Sequence, residues 1–313
     1  MRKVPLGRTG EEVSALCLGA MLFGSRTDAA TSVRLLDRYV EAGGTFLDTA
    51  NIYARWVPGC RGGESETLLG PWMRERGNRG RLFLASKVGF EYPGVERGLK
   101  ARQIAEECEK SLRRLGIETL DLYYAHTDDR ATPLEETMEA FSRLVAAGKV
   151  RFLGASNFAA WRLAEATMLA RTQGWAEYQC VQQRHTYLRP KPGASFAPQV
   201  AANPDLLDFC RTSRTTLLAY TPLLRGSYGR ADRPPASQYA GPDTEARLSA
   251  LKAVAAEKGA TPNQVVLAWM LAGNPVTIPV FAVSTVEQLE EDLGALEVRL
   301  TGDDLARLDA ASA

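Results

Sequence analysis

The chain has 313 residues, of which 45% are hydrophobic and 24% are charged, a composition typical of a globular protein with a sizeable core. Lys and Arg number 38 and Asp and Glu number 37, so no charge excess favours nucleic acid or an anionic membrane as a partner. Only two histidines are present, which excludes a three-histidine zinc site. The start has no signal-peptide pattern, no run approaches a membrane span, and the five cysteines form no CxxC pair. We therefore expect a cytoplasmic protein with reduced thiols.

Taken in chain order, a predicted hairpin over 3–14 is followed by an alternation of short apolar strands and longer amphipathic helices. The strands are predicted at 14–20, 45–50, 81–88, 119–126, 149–156, 178–183, 215–220 and 276–281. The helices are predicted near 28–42, 64–76, 101–115, 134–148, 161–171, 204–212, 244–258, 262–273, 286–296 and 302–311. A polar stretch at 225–242, rich in Gly and Pro, is predicted to be a surface loop.

Eight βα units in this length predict an α/β fold, a parallel (β/α)₈ TIM barrel with an N-terminal hairpin and extra C-terminal helices. The chain contains no Gly/Ser linker, so we expect one domain over 1–313. A doubly wound sheet is the alternative, but its G-x-G-x-x-G loop is absent.

Polar residues end three consecutive predicted strands at equal spacing: Asp48, Lys87 and His126. Tyr53 follows Asp48 in the next loop. Each residue taken singly has a structural explanation, such as a turn-forming Asp, a solvated Lys or a packed Tyr. In a barrel, however, the carboxyl ends of all strands meet at one rim, where active sites lie. The pattern therefore predicts a site that combines a carboxylate, an ammonium, an imidazole and a phenol.

The segments FLDTANIY, LASKVG, LDLYYAH and FLGASNF, together with AYTPL and IPVFAVSTVEQLEEDL, resemble the signatures of the aldo-keto reductase family. The resemblance extends from LGRTG to the last helix. It implies an NAD(P)-dependent oxidoreductase that interconverts a carbonyl and an alcohol, with Asp48, Tyr53, Lys87 and His126 as the catalytic tetrad. Tyr53 would be the general acid and base, because a neighbouring ammonium stabilises phenolate.

The resemblance also implies a nicotinamide nucleotide that lies extended across the barrel mouth. Ser156, Asn157 and Gln182 would bind the carboxamide, and Tyr220 would stack on the nicotinamide ring. Ser156 and Asn157 could equally cap the following helix. The full set of expected cofactor contacts is Met21, Ser156, Asn157, Gln182, Tyr220, Thr221, Leu223, Arg225, Gly226, Ala282, Ser284, Gln288 and Asp292.

The expected adenosine site departs from the family pattern. NADP-specific relatives have cations after the last strand, whereas 282–292 contains no Lys or Arg here and includes Glu290, Glu291 and Asp292. Those carboxylates would repel a 2′-phosphate, although Ser284 and Thr285 could bind it through hydroxyls and backbone amides. NADP is the first expectation by a small margin, and NAD stays open.

The expected substrate is a small carbonyl or alcohol, contacted by Phe23, Trp56, Phe90 and Arg184. Trp56 lies in the insertion ARWVPGCRGG, which is longer than the loop common in the family. Two alternative functions are a Schiff-base lyase with Lys87 as nucleophile and a nucleotide-sensing regulatory subunit.

Overall fold

The computed structural model describes residues 1–230 and 232–311. Residue 231 of the predicted loop and residues 312–313 at the end of the predicted domain lie outside this range. An antiparallel hairpin, β1 (Lys3–Pro5) with β2 (Glu12–Ser14), precedes the main sheet.

Within the described residues, eight parallel strands close into a barrel, which confirms the predicted fold. The barrel strands are β3 (Cys17–Gly19), β4 (Phe46–Asp48), β5 (Phe83–Val88), β6 (Leu120–Ala125), β7 (Val150–Ser156), β8 (Tyr178–Arg184), β9 (Thr216–Tyr220) and β10 (Thr277–Phe281). They follow one another in chain order, and β10 pairs with β3 to close the cylinder. Their carboxyl ends therefore share one rim.

The helices are α1 (Ala29–Glu41), α2 (Glu64–Arg76), α3 (Ala101–Leu115), α4 (Leu134–Ala146), α5 (Ala160–Gln173), α6 (Pro204–Ser213), α7 (Thr244–Lys258), α8 (Pro262–Ala272), α9 (Val286–Leu293) and α10 (Gly302–Ala310). The predicted bounds of α2, α3 and α7 agree with the structure. The helix predicted over 286–296 ends earlier, at Leu293. Gly294, a poor helix former, begins a 3₁₀ turn at that point.

The stretch predicted as a surface loop, 225–242, is anchored by two buried tyrosines. The hydroxyl of Tyr228 lies 2.6 Å from that of Thr186. The hydroxyl of Tyr239 accepts a hydrogen bond from Arg184 Nε at 2.9 Å. Arg184 ends β8 and Thr186 follows it, so the loop is attached to the rim of the barrel at two points, one in each half of the loop.

The barrel interior beneath the rim is filled by the ring of Tyr124, which lies 5.8 Å from Lys87 Nζ. Gly154 in β7 makes this possible. A β-carbon at that position would lie 2.5 Å from the Tyr124 ring and 2.9 Å from Cys180 Sγ, closer than van der Waals contact allows. The small residue in β7 therefore admits the large residue from β6.

We expect Gly154→Ala to lower the free energy of unfolding by about 2–3 kcal/mol, because over-packing a closed interior forces side chains or strands apart. Gly80→Ala is the matched control, since a β-carbon at Gly80 meets no atom within 4 Å. Urea denaturation followed by circular dichroism measures both variants. Equal stability of the two would contradict this account of the interior.

Candidate active site

Four side chains expected to form the site converge at the rim of the barrel. Asp48 ends β4, Lys87 lies one residue before the end of β5, and His126 follows β6 directly. Tyr53 lies in the turn after β4. Lys87 Nζ forms an ion pair with Asp48 Oδ1 and lies 2.7 Å from the hydroxyl oxygen of Tyr53. The structure thus brings together residues from three consecutive βα units.

Lys87 is completely buried and donates three hydrogen bonds, to Asp48, to Tyr53 and, at 2.8 Å, to the carbonyl oxygen of Thr49. Three donors require an ammonium, because a neutral amine carries only two N–H groups. Burial lowers the pKa of Lys87, and the charge of Asp48 opposes that shift. An amine that is enclosed and fully engaged as a donor is poorly suited to attack a carbonyl, which argues against the Schiff-base alternative.

The second oxygen of Asp48 connects this group to a residue expected to bind cofactor. Gln182, two residues before the end of β8, donates from Nε2 to Asp48 Oδ2 at 2.8 Å. The side-chain amide oxygen of Gln182 is then oriented as an acceptor. Both residues are buried, at 2% and 1% exposure. The sequence indicated both residues but not this hydrogen bond between opposite sides of the barrel.

Tyr53 is a protonated phenol in this arrangement. Burial raises its pKa well above 10, and the negative charge of Asp48 raises it further. Its hydroxyl donates to Asp48 Oδ1 at 3.2 Å. Burial is the largest cause of this shift and Asp48 the next, and the help that the ammonium of Lys87 is expected to give to proton donation stays a prediction.

His126 is a neutral imidazole, because burial and the nearby charge of Lys87 hold its pKa well below 6.5. Its Nδ1 is buried and has no hydrogen-bond partner among the described residues. The tautomer with the proton on Nε2 therefore suits the site. The ring stands edge-on to Phe90, with centroids 4.8 Å apart, and 6.2 Å from the ring of Tyr53.

The residues expected around the carboxamide form one connected group at the ends of β7, β8 and β9. Asn157 donates to the carbonyl oxygen of His126 at 2.9 Å and to Ser156 Oγ at 3.2 Å. Its own amide oxygen accepts from the hydroxyl of Tyr220 at 2.7 Å. Asn157 adopts a positive φ of 62°, a conformation that asparagine tolerates better than most residues. The side chain of Asn157 thus links the imidazole strand to the tyrosine expected to stack on a ring.

Known proteins are similar to this chain over most of its length. The profile of the Aldo/keto reductase family matches residues 15–313. The chain belongs to the aldo/keto reductase family. The uncharacterized oxidoreductase YrpG of Bacillus subtilis is 34% identical over 97% of this chain and 94% of its own length. The norsolorinic acid reductase stcV of Emericella nidulans is 34% identical over 96% of this chain and 78% of its own length.

A solved structure of a thermostable aldo-keto reductase, Tm1743, in complex with the inhibitor epalrestat is similar over 100% of both chains. Its TM-score is 0.79 and its sequence identity is 29%. Aldo/keto reductases are oxidoreductases that act on small molecules and generally use NADPH or NADH. Among the described residues no helix is long and apolar enough to cross a membrane, and no three His, Cys, Asp or Glu side chains form a metal-binding group.

Other residues expected at the nucleotide of this aldo/keto reductase lie along the same rim. Met21 follows β3 and is 37% exposed. Thr221 and Arg225 follow β9 and have positive φ angles of 58° and 61°, so the backbone there turns sharply. Leu223 and Gly226 are partly exposed beside them. These residues are accessible to a ligand.

The expected adenosine end lies at the start of α9. Ala282 and Ser284 are exposed, and the backbone N–H of Ser284 donates to Gln288 Oε1 at 2.8 Å. Asp292, by contrast, is buried, and burial raises its pKa to about 8. The prediction that Asp292 repels a phosphate needs correction, because at neutral pH its buried carboxyl is mostly protonated.

Arginines of α1 also alter the charge at this end, which the sequence order concealed. Glu290 forms an ion pair with Arg38, whose Nη2 lies 3.0 Å from Glu290 Oε2. Hydrogen bonds from its own backbone and from the side chain of Thr285 lower the pKa of Glu287, and the charge of Arg34 lowers it further. The carboxylates of α9 are therefore partly balanced by α1. One signal in the sequence could have indicated this balance of charge: the amphipathic helix α1 becomes the neighbour of α9 when the barrel closes.

The expected substrate residues have different environments. Trp56 is 43% exposed, and its ring centroid lies 6.3 Å from that of Tyr53. Phe90 contacts His126, as described above. Phe23 is only 1% exposed and packs in the main core, so it is the least accessible of the four, and its substrate contact stays a prediction.

Arg184 is not a free cation at the mouth. It donates to Tyr239 and, at 2.7 Å, to Gln199 Oε1. Its guanidinium stacks 4.7 Å from the ring centroid of Phe196. These partners make Arg184 an anchor for two loops, and its contact with substrate stays a prediction.

The buried His126 and the half-buried His185 predict how stability depends on pH. Burial lowers the pKa of His126 well below 6.5 and that of His185 to about 4. The unfolded chain, with histidine pKa values near 6.5, binds more protons below that pH. The histidine contribution to the free energy of unfolding should therefore fall as the pH drops from about 7 towards 5, by up to about 1.4 kcal/mol per pH unit for each histidine.

The measurement is urea denaturation across this pH range for the wild type, His126→Gln and His185→Gln. Each variant should lose up to about 1.4 kcal/mol per pH unit of slope relative to the wild type, while Asp292, whose pKa burial raises to about 8, contributes the same opposing slope in all three proteins. An unchanged slope in His126→Gln would show that its imidazole is not kept neutral by the fold.

Proposed function

We propose that this chain catalyses the reversible reduction of a small aldehyde, ketone or sugar carbonyl to an alcohol with a nicotinamide nucleotide, and that Tyr53 is the general acid and base. The observation that carries the proposal is the contact of the Tyr53 hydroxyl oxygen with Lys87 Nζ, 2.7 Å away in a buried site. A phenol held by an ammonium next to a neutral imidazole is suited to give a proton to a carbonyl oxygen.

The residues around the site fit such a nucleotide. Ser156 and Gln182 supply a hydroxyl and an amide oxygen, which match the acceptor and donor of a carboxamide. Tyr220 is partly exposed, and its hydroxyl is fixed by Asn157, so one ring face is available for stacking. When bound, a nicotinamide nucleotide supplies or accepts the hydride.

The proton follows a short path. In reduction, Tyr53 O–H gives its proton to the oxygen of the developing alkoxide, while Lys87 Nζ keeps its N–H directed at the phenol oxygen and stabilises the charge left there. The 3.2 Å bond from Tyr53 to Asp48 is long, so the hydroxyl can exchange it for a bond to substrate. In oxidation the same atoms act in reverse.

His126 orients the carbonyl. A neutral imidazole with its proton on Nε2 can donate a hydrogen bond to the substrate oxygen without competing for the proton of Tyr53. Trp56 packs against the ring of Tyr53 and Phe90 against the ring of His126, and both are accessible side chains that suit an apolar or aromatic carbonyl.

We also propose a cytoplasmic location. It is supported by the free thiols of the five cysteines, Cys17, Cys60, Cys108, Cys180 and Cys210.

We expect Tyr53→Phe to lower turnover at least about 100-fold, because it removes the proton donor. The affinity for nucleotide should stay near that of the wild type. Tyr178→Phe is a matched control, since the Tyr178 hydroxyl is buried without a partner among the described residues and lies outside the site. The assay follows oxidation of NADPH and of NADH with para-nitrobenzaldehyde. Wild-type turnover in Tyr53→Phe would contradict the acid role. A wild type that binds nucleotide but reduces no carbonyl would favour the nucleotide-sensing alternative.

We also propose NADP as the first cofactor, with weak discrimination against NAD. The segment 282–292 has no Lys or Arg, so a 2′-phosphate would meet the hydroxyls of Ser284 and Thr285 rather than a cation of that segment. Asp292 is buried and Glu290 is paired, which reduces the repulsion expected from their sequence.

Separate fluorescence titrations with NADPH and NADH test this preference. The two dissociation constants should differ by less than about tenfold, which corresponds to about 1.4 kcal/mol. A preference for NADPH of several hundredfold would mean that a cation from another segment binds the phosphate. A preference for NADH of that size would exclude NADP as the cofactor.

A further inference from the structure

A buried carboxylate on the outer side of the barrel connects the two loops that form the candidate active site. Glu107 lies in α3 and is 1% exposed. Its Oε2 accepts hydrogen bonds from Asn51 Nδ2 and from the hydroxyl of Tyr92, both at 2.7 Å. Its Oε1 accepts from Lys110 Nζ, also at 2.7 Å. Asn51 belongs to the loop after β4 and Tyr92 to the loop after β5.

The first of these loops presents Tyr53. Asn51 lies between Asp48 and Tyr53 in the sequence and is completely buried. Its backbone N–H donates to the carbonyl oxygen of Lys87 at 3.3 Å. The side-chain oxygen of Asn51 is buried without a partner among the described residues. The bond from Nδ2 to Glu107 is therefore the contact that orients this side chain.

The turn also needs support from outside its own sequence. Ala54 has a φ of 75°, a left-handed conformation that is unfavourable for a residue with a β-carbon. Such a conformation persists only where surrounding contacts enforce it. The Glu107–Asn51 bond supplies one such contact three residues before Ala54, and Tyr53 lies between the two.

The second loop is held by the same oxygen atom. Tyr92 donates to Glu107, and its backbone pairs with Val95. Gly62, at the end of the long insertion, packs against both partners, since a β-carbon there would lie 3.2 Å from the Asn51 carbonyl oxygen and 3.3 Å from the Tyr92 ring. The insertion that carries Trp56 and the loop that carries Phe90 thus meet above Glu107.

We propose that Glu107 is a positioning residue for Tyr53: by accepting hydrogen bonds from Asn51 and Tyr92 through one oxygen, it holds the turn that presents the phenol to Lys87. This inference rests on the proposed function of Tyr53. The required precision is high, because a displacement of about 1 Å in a catalytic group can reduce the rate about 100-fold.

The test compares Glu107→Ala with Glu107→Gln. We expect Glu107→Ala to lower kcat for para-nitrobenzaldehyde at least about tenfold, while the dissociation constant of NADPH changes less than about twofold. Glu107→Gln should keep kcat within about threefold of the wild type, because an amide oxygen can still accept from Asn51 and Tyr92. Glu109→Gln is the control on the same helix, where the carboxylate pairs with Lys149.

A double-mutant cycle with Asn51→Ala separates positioning from general loss of stability. If Glu107 acts through Asn51, the double variant should be no slower than the slower single variant. Full additivity of the two effects would overturn the proposal. So would a wild-type kcat in Glu107→Ala, an equal loss in Glu107→Gln, or a loss of NADPH affinity that parallels the loss of kcat.

Glu107→Ala removes a buried acceptor, and if it does not fold, Asn51→Ala alone decides. A tenfold loss of kcat in Asn51→Ala with unchanged NADPH affinity supports the proposal, and an unchanged kcat in Asn51→Ala refutes it. Failure of the proposed function would give a different result, because the wild type itself would then reduce no carbonyl with either nucleotide. A wild type that is active, with a Glu107→Ala variant that is equally active, refutes only the role of Glu107.

Discussion

The buried ion pair between Lys87 and Asp48 is the interaction on which the site depends. Two charges out of water are expensive unless every donor and acceptor is satisfied. Here the ammonium donates to Asp48, Tyr53 and a backbone carbonyl, and the carboxylate also accepts from Gln182. Each of these partners is thereby fixed in orientation, so the requirement to satisfy two buried charges also arranges the groups of the proposed reaction.

The barrel provides the rigid support for this pair. Because each strand is bonded to neighbours on both sides, the spacing between the ends of β4, β5 and β6 is set by the ladder and not by the loops. The loops then add what the strands cannot supply. Tyr53 reaches over the pair from one loop, and Glu107 connects that loop to the next one from behind. The proposed catalytic side chains are thus held by the barrel strands beneath them and by α3, which carries Glu107, on the outside of the barrel.

Much of this arrangement could be predicted from the sequence, because it depends on local periodicity. The bounds of α3 follow from apolar spacing, and the positions of Asp48, Lys87 and His126 follow from where apolar strands end. Bonds between distant side chains could not be predicted. Arg184 looked like a free cation but binds Tyr239.

Burial changes other residues in ways that local pattern does not reveal. Asp292 looked like a charge but is buried with a raised pKa, and Phe23 packs inward. These outcomes depend on which elements pack together in three dimensions, and no local pattern carries that information.

The two tyrosine anchors of the segment after β9 have a consequence for how this scaffold can diversify. Tyr228 is hydrogen-bonded to Thr186 and Tyr239 to Arg184, so the segment is attached to the rim of the barrel at both of these positions. Substitutions or length changes between the anchors would therefore be insulated from the ammonium and the phenol. Descendants of this chain would be free to change this segment while the proposed proton donor kept its place.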